Sequence, residues 1–397
     1  MPARHLIVCL LCLSLAACAA GPPTASTAEP FCRVGDLAFH TGFEAAALHG
    51  CASGEGGPVL TIAPEFAPIN PSPWYAWRVV REPGSGADSG DVTVKQRYLH
   101  GWHRYAPWIS EDGEDWRRLP DARISLAQDG TATLRLRVPA GGLFVAAQPP
   151  LTNSAMDRWA EDLAAGNGLR RIAVTKSVQG RPVTAYESEL AGQRDSLVLI
   201  SRQHPPEVTG GLAFQDFVDR LFSDGDLAKR FRDRFAIGLV PGVNPDGVAR
   251  GHWRTNARGV DLNRDWGPFT QPETRGVAAW LAGLNERAPI ALFLDFHSTN
   301  RDVFYMPHAG DDPAPSGFAA AWRARLRGRL GDGMPDWSGE HNPGLPTAKS
   351  WVRNEYGVVA ITYEVGDNTP RDRIQRVARV AAEETMKLLL EYREAGR

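Results

Sequence analysis

The sequence carries no excess of either charge: 44 lysines and arginines stand against 46 aspartates and glutamates, a formal net charge of −2 over 397 residues. A nucleic-acid footprint needs a basic excess to meet phosphates, so that class of partner is excluded. Cysteine is scarce, five in all, and Cys32 and Cys51 show no CxxC character that would make them a thiolate metal site. The apolar run at the N-terminus, residues 6–15, is too short for a membrane-spanning helix. What is plentiful is glycine (40), proline (30) and tryptophan (12), which predicts many turns and aromatic-rich packing or binding surfaces.

The N-terminal run follows Arg4 and His5 and ends in Leu15-Ala16-Ala17-Cys18, which resembles the lipobox of bacterial lipoproteins. That resemblance implies a signal peptide over 1–17, cleavage before Cys18, and a lipid on Cys18 as the sole membrane attachment. Residues 18–30 then read as a flexible tether. Ala19, in place of an aspartate, suggests outer-membrane retention within a bacterial envelope, with the chain in the periplasm. In that oxidising compartment Cys32 and Cys51 are candidates for a disulfide.

From residue 31 to about 150 the pattern is strand-like. Residues 74–80 (WYAWRVV), 92–94, 124–126 and 131–138 (TATLRLRV) cluster or alternate β-formers between Gly, Asp and Pro turns, which predicts an antiparallel β-sandwich. Trp102, Trp108 and Trp116 lie between these strands, either as edge packing or as one wall of a substrate groove. Pro149-Pro150 marks a boundary. Over 151–397 strands and helices alternate, the mark of an α/β domain; helices are expected over 154–165, 208–222, 273–284 and 383–393.

Chemistry gathers at strand ends. LVLISRQHPPE (197–207) is an apolar strand that stops at His204 and Glu207, and residues 290–296 deliver Asp295 and His297. VVAITYEV (358–365) carries Glu364 near its end. Between them lie NPDG (244–247), His252-Trp253-Arg254 and GVDLNRDW (259–266). Two histidines and a carboxylate suit zinc, with one position left open. A carboxylate at the end of a buried strand is costly without a partner or a task, and Arg254 and Arg264 offer planar forks for a carboxylate or oxyanion.

HPPE, NPDGV, WR, GVDLNRDW, DFHS and TYEVG, in that order, resemble the M14 metallocarboxypeptidases, most of all the cytosolic carboxypeptidase-like (deglutamylase-like) subfamily and its bacterial relatives. The match covers about 170–390, and the WYAWRV strand resembles that subfamily's N-terminal domain. The resemblance implies an α/β/α catalytic domain with a mixed sheet and one zinc ion on His204, Glu207 and His297. It implies Glu364 as the general base toward the attacking water, Arg254 as the group that polarises the scissile carbonyl, and Asn263 with Arg264 gripping the free C-terminal carboxylate of a peptide substrate. The expected activity is removal of C-terminal residues. The alternatives are a zinc amidohydrolase or deacylase of small acyl-amino acids or murein peptides, and a non-catalytic peptide-binding lipoprotein.

Other residues invite weaker readings. The family's loop tyrosine has no counterpart in 338–344, where His341 is a candidate stand-in. Lys349 falls near the selectivity pocket, where it would favour an acidic terminal residue, or else it is a surface lysine. Asp295 is expected to point away from the metal on the opposite strand face, with at most a supporting role. His252 and His308 read as bystanders, and the arginines of 323–329 as a solvated face.

Overall fold

The computed structural model of the chain describes residues 29–67, 69–82, 90–189, 195–307, 312–339, 342 and 344–396. The lipobox, His308 and His341 lie outside the described residues. No described helix is long and apolar enough to cross a membrane.

The first eleven strands are β1 (Cys32–Val34), β2 (Leu37–His40), β3 (Gly50–Gly54), β4 (Gly57–Ile62), β5 (Ala76–Arg81), β6 (Gly90–Tyr98), β7 (Trp108–Ser110), β8 (Arg117–Arg118), β9 (Ile124–Leu126), β10 (Ala132–Val138) and β11 (Leu143–Ala146). They form two sheets, β1-β2-β5-β11-β7-β8 and β3-β4-β6-β10-β9. In β10 the alternation works as sequence alone predicts: Ala132, Leu134, Leu136 and Val138 point inward while Arg135 and Arg137 face water. One pairing departs from the antiparallel expectation. β4 and β6 run parallel, because the chain crosses to the other sheet as β5 before returning. A Cys32–Cys51 disulfide ties β1 to β3, and so one sheet to the other.

The second region holds β12 (Arg170–Lys176), β13 (Pro182–Glu187), β14 (Asp195–Ser201), β15 (Phe235–Val240), β16 (Ile290–Thr299), β17 (Val303–Tyr305), β18 (Asp336–Ser338) and β19 (Val359–Gly366). Its helices are α1 (Asn153–Asn167), α2 (Val208–Leu221), α3 (Asp226–Arg232), α4 (Pro245–Arg250), α5 (Pro272–Arg287), α6 (Phe318–Leu330), α7 (Ala348–Tyr356) and α8 (Arg371–Glu394). The eight strands form one mixed sheet in the order β12-β13-β15-β14-β16-β19-β17-β18. Its centre, β15-β14-β16-β19, is parallel, with antiparallel neighbours β13 and β17 on either side. These central strands are continuous apolar runs because helices bury both faces. α1, α2, α3, α6 and α8 share one core with one face, and α5 and α7 cover the other. The arginines of α6 are not simply solvated: Arg325 and Arg329 pair with Glu383, Glu384 and Glu391 of α8.

The two regions share a core. Trp253, fully buried, packs with Trp74, Trp77 and the inward strand residues of the sandwich, and its indole N–H donates to the Trp74 carbonyl at 3.1 Å.

Candidate active site

β14, β16 and β19 lie side by side and parallel, so their C-terminal ends open onto one edge, where open α/β sheets place ligands. Register does the rest. His297 of β16 pairs with Glu364 of β19, which points both side chains to one face. β14 is followed by Arg202 in a left-handed turn (φ 60), a conformation few non-glycine residues adopt, and the chain swings into Gln203-His204-Pro205-Pro206-Glu207. Two glycines make that loop possible. A Cβ on Gly247, in the NPDG turn, would sit 2.5 Å from Pro205 Cγ. A Cβ on Gly210 would sit 2.3 Å from the His297 carbonyl oxygen, so α2 lies directly on β16 and carries Glu207, at its N-terminal end, to His297.

The result is a compact donor set. His204 Nδ1 and His297 Nδ1 each lie 2.7 Å from one oxygen of Glu207 and 3.2 Å from each other. All three residues are buried. On the far side of each ring Nε2 meets a carboxylate: His204 Nε2–H donates to Asp261 at 2.9 Å, and His297 Nε2–H to Asp295 at 2.8 Å. Carboxylates only accept, so both rings carry their proton on Nε2 and, when neutral, aim the Nδ1 lone pairs at a common point. Two lone pairs and a carboxylate converging there repel one another unless a cation joins them. Nitrogen, nitrogen and oxygen are the donors zinc accepts. The set fits that ion.

Each of these groups perturbs its neighbours. Burial works to raise Glu207, but the His204 and His297 rings outweigh it and hold the carboxyl far below the usual range. Burial works to lower His297, but Asp295 and Glu207 hold its pKa well above the ordinary value. Asp261 is held low against its burial by His204, Arg254 and Arg264.

Asp295 corrects the expectation from sequence. In a strand, residues two apart share a face, so Asp295 lies on His297's side rather than opposite it. Gln203 Nε2 donates to the same Asp295 oxygen at 2.8 Å, and Trp266 donates to Gln203 at 2.8 Å. Partners of this kind fix ring orientation and basicity, and losing one lowers metal affinity by about 10- to 100-fold. Asp295→Asn is therefore expected to weaken zinc binding by about that factor, read by competition with a chromophoric chelator. Affinity equal to wild type would exclude the role.

Glu364 faces the donor set in the same cleft. Its Oε2 is buried with no hydrogen-bond partner among the described residues, and burial pushes its pKa up to about 7. Arg254 Nε donates to Asp261 at 2.6 Å. Asn263 and Arg264 sit in the turn that follows; the Asn263 side-chain amide nitrogen lies 3.4 Å from His297 Nε2 and its Oδ1 accepts from Ala348 N, while Arg264 Nη1 donates to the Asn263 backbone carbonyl. Lys349 is no surface lysine: it is 5% exposed, lines the cleft at the start of α7, and donates to the Met306 carbonyl at 3.1 Å. The cleft thus brings together all eight residues singled out from sequence.

It also holds residues that sequence reading passed over. Tyr305 lines it from β17, level with Thr362 in the register, and burial together with the Glu364 charge raises its phenol. Asn70, Ser72 and Arg104 come from sandwich loops. Arg104 is clamped by Asp367, Ser72 and the Pro71 carbonyl. Trp102, Trp108 and Trp116 are absent from the lining; Trp116 packs on Phe144 instead. His252 donates or accepts no bond within the donor set, and its ring lies 3.1 Å from the Thr255 carbonyl.

The model for the zinc carboxypeptidases, Peptidase_M14, matches residues 156–384. The chain belongs to that family. An uncharacterized protein of Zymomonas mobilis is 26% identical over 329 residues, which span 76% of this chain and 81% of that one. Cytosolic carboxypeptidase 2 of Danio rerio is 27% identical over 302 residues, 67% of this chain but 41% of that protein's length. In structure, the metallo-carboxypeptidase of Burkholderia cenocepacia superposes with a TM-score of 0.74 at 20% identity, covering 90% of this chain and all of that one. The metallo-carboxypeptidase of Pseudomonas aeruginosa gives 0.70 at 22% identity, covering 89% and 99%. These structural likenesses extend through the sandwich as well as the matched region, so the whole two-part fold is shared. The chain is a metallocarboxypeptidase of the M14 family, and the donor set described above lies within the part of it that the zinc carboxypeptidase model covers.

Proposed function

We propose that this M14 enzyme removes the C-terminal residue from peptides, with zinc on His204, Glu207 and His297 and Glu364 as general base. The observation that carries the proposal is the convergence of the two Nδ1 atoms and the Glu207 carboxylate beside a Glu364 oxygen that has no hydrogen-bond partner among the described residues, in a cleft that also holds Arg104, Arg254, Arg264 and Lys349. Zinc, when bound there, supplies Lewis acidity toward water and carbonyl oxygen.

The chain's own residues account for the other requirements. Glu364 takes a proton from the attacking water as the new C–O bond forms, and returns it to the amine as the C–N bond breaks. A carboxylate lifted toward neutrality by burial is suited to both halves of that transfer. Arg254, braced by Asp261, meets the negative charge that develops on the carbonyl oxygen. Preorganised donors of this kind contribute on the order of 10²–10³ in rate. Asn263 and Arg264 hold the terminal carboxylate, a contact made equally in ground and transition states, so its loss raises KM more than it lowers kcat.

Lys349 selects the terminal side chain. Its ammonium has no carboxylate partner among the described residues, and burial lowers its pKa to about 8. A buried cation of this kind rewards an acidic side chain. It is charged below that pH and neutral above it. The preference for Glu-ended over Leu-ended peptides, measured as a ratio of kcat/KM, should therefore hold at pH 6–7 and decline as pH rises through about 8. In Lys349→Met the ratio should be low and flat with pH. A ratio unchanged by the substitution would remove the residue from the pocket's chemistry.

We further propose export and lipid attachment through Cys18, on the basis of the Leu15–Cys18 segment alone. The test of the activity itself is amino-acid release from a panel of peptides with mixed C-termini, together with zinc content, for wild type and Glu364→Gln. Release by wild type no faster than by the variant, or cleavage of acyl-amino acids only, would overturn the carboxypeptidase proposal.

A further inference from the structure

Arg254 owes its position to the sandwich. The segment that carries it is gripped by Glu65, in the loop between β4 and β5. Glu65 Oε2 accepts from Trp253 N at 2.7 Å, and Oε1 accepts from Arg254 N at 3.0 Å, Thr255 N at 2.7 Å and the Thr255 hydroxyl at 2.8 Å. Three successive backbone N–H groups thus turn toward one carboxylate whose side chain is 7% exposed. Beside them Trp253 is sunk in the sandwich core. The base of the arginine is fixed by Glu65 and its far end by Asp261, so the guanidinium is held from both ends before substrate arrives.

We propose that Glu65 is a positioning residue for Arg254, and that the sandwich is in this way a working part of the catalytic apparatus. The inference rests on the role given to Arg254 above. An oxyanion donor acts only from a narrow range of positions, and a displacement near 1 Å costs on the order of 10² in rate. Charge matters as well as shape. In Glu65→Gln one oxygen still accepts from Arg254 N and Thr255 N, but the amide turns its own N–H groups toward Trp253 N.

A second sandwich carboxylate supplies the control. Glu44 caps the start of α1, accepting from Asn153 N at 2.8 Å and the Ser154 hydroxyl at 2.7 Å, and does not line the catalytic cleft. It ties the same two regions together without touching the Arg254 segment.

The experiment is a double-mutant cycle on the zinc-loaded protein, with kcat, KM and thermal midpoint measured for each variant. Glu65→Ala is expected to lower kcat by about 30-fold with KM within about 3-fold, and Glu65→Gln to lower it less. In an Arg254→Ala background the same Glu65→Ala change should cost under about 3-fold, because the residue it serves is gone. Glu44→Ala should lower the thermal midpoint and leave kcat within about 2-fold. If Glu65→Ala does not fold, Glu65→Gln carries the cycle. A folded Glu65 variant with wild-type kcat, or one that loses the same factor in both backgrounds, would overturn the proposal. Arg254→Ala with wild-type kcat would instead overturn the role of the arginine itself.

Discussion

Stripping the metal abolishes release of the terminal residue, and zinc restores it: this is the largest effect expected of the protein. The basis is the donor set. One ligand atom each from His204, His297 and Glu207 lies within 4.8 Å of the other two. No other group of three or more His, Cys, Asp or Glu side chains among the described residues is placed to hold a metal ion. Glu364 and Arg254 alone can move a proton and offer a charge, but neither can lower the pKa of a water by the several units that attack at neutral pH requires. Dialysis against a strong chelator should leave activity at under about 10⁻³ of the loaded enzyme, the scale of loss when a Lewis acid is removed from such a reaction. His297→Ala should do the same irreversibly, since two ligands remain where a catalytic zinc site uses three. The loaded protein should also melt higher than the stripped one, because an ion that binds only the folded state stabilises it by mass action. Full activity after exhaustive chelation, verified by metal analysis, would refute the assignment.

How much of this was legible in the sequence depended on distance along the chain. Buried parallel strands are continuous apolar runs, so 197–201, 290–296 and 358–365 stood out, and so did the polar residue that ended each. Their meeting at one edge follows from the parallel order β14-β16-β19. Local geometry was harder. An opposite face for Asp295 overlooks that its spacing from His297 is the spacing of a shared one, and Lys349 reads equally as a surface residue because nothing in a helix start declares its burial. What no local pattern could signal was the contribution of the sandwich. Glu65 and Arg104 lie in loops far upstream, Glu65 189 positions before Arg254 and Arg104 263 positions before Asp367. The packing of the two regions against each other, Trp253 in the sandwich core included, brings Glu65 to the catalytic edge. Residues 338–344 contain no tyrosine. Tyr305 reaches the cleft from β17 instead, a three-residue strand too short to declare itself.

Glu364→Gln is the second large effect, and the one that separates the base from the metal. Gln keeps the size and the strand position but cannot take a proton, so kcat should fall by about 10³-fold, within the range general-base catalysis commonly supplies. KM should stay within a few-fold, because Asn263, Arg264 and Lys349 are untouched. Zinc content should be unchanged, because Glu364 is not one of the three converging ligands. The pH profile carries the sign. Burial raises Glu364 to about 7, with Glu207 adding to that and the His297, His204 and Arg254 charges opposing it. A base works only when deprotonated, so kcat/KM should fall as pH drops through the Glu364 pKa. A divalent cation in the adjacent donor set favours the carboxylate, which places the acid limb at or below about 7. The residual activity of Glu364→Gln should lack that limb. If the variant instead keeps the wild-type acid limb at a thousandth of the rate, the limb belongs to another group and Glu364 is not the base that titrates there.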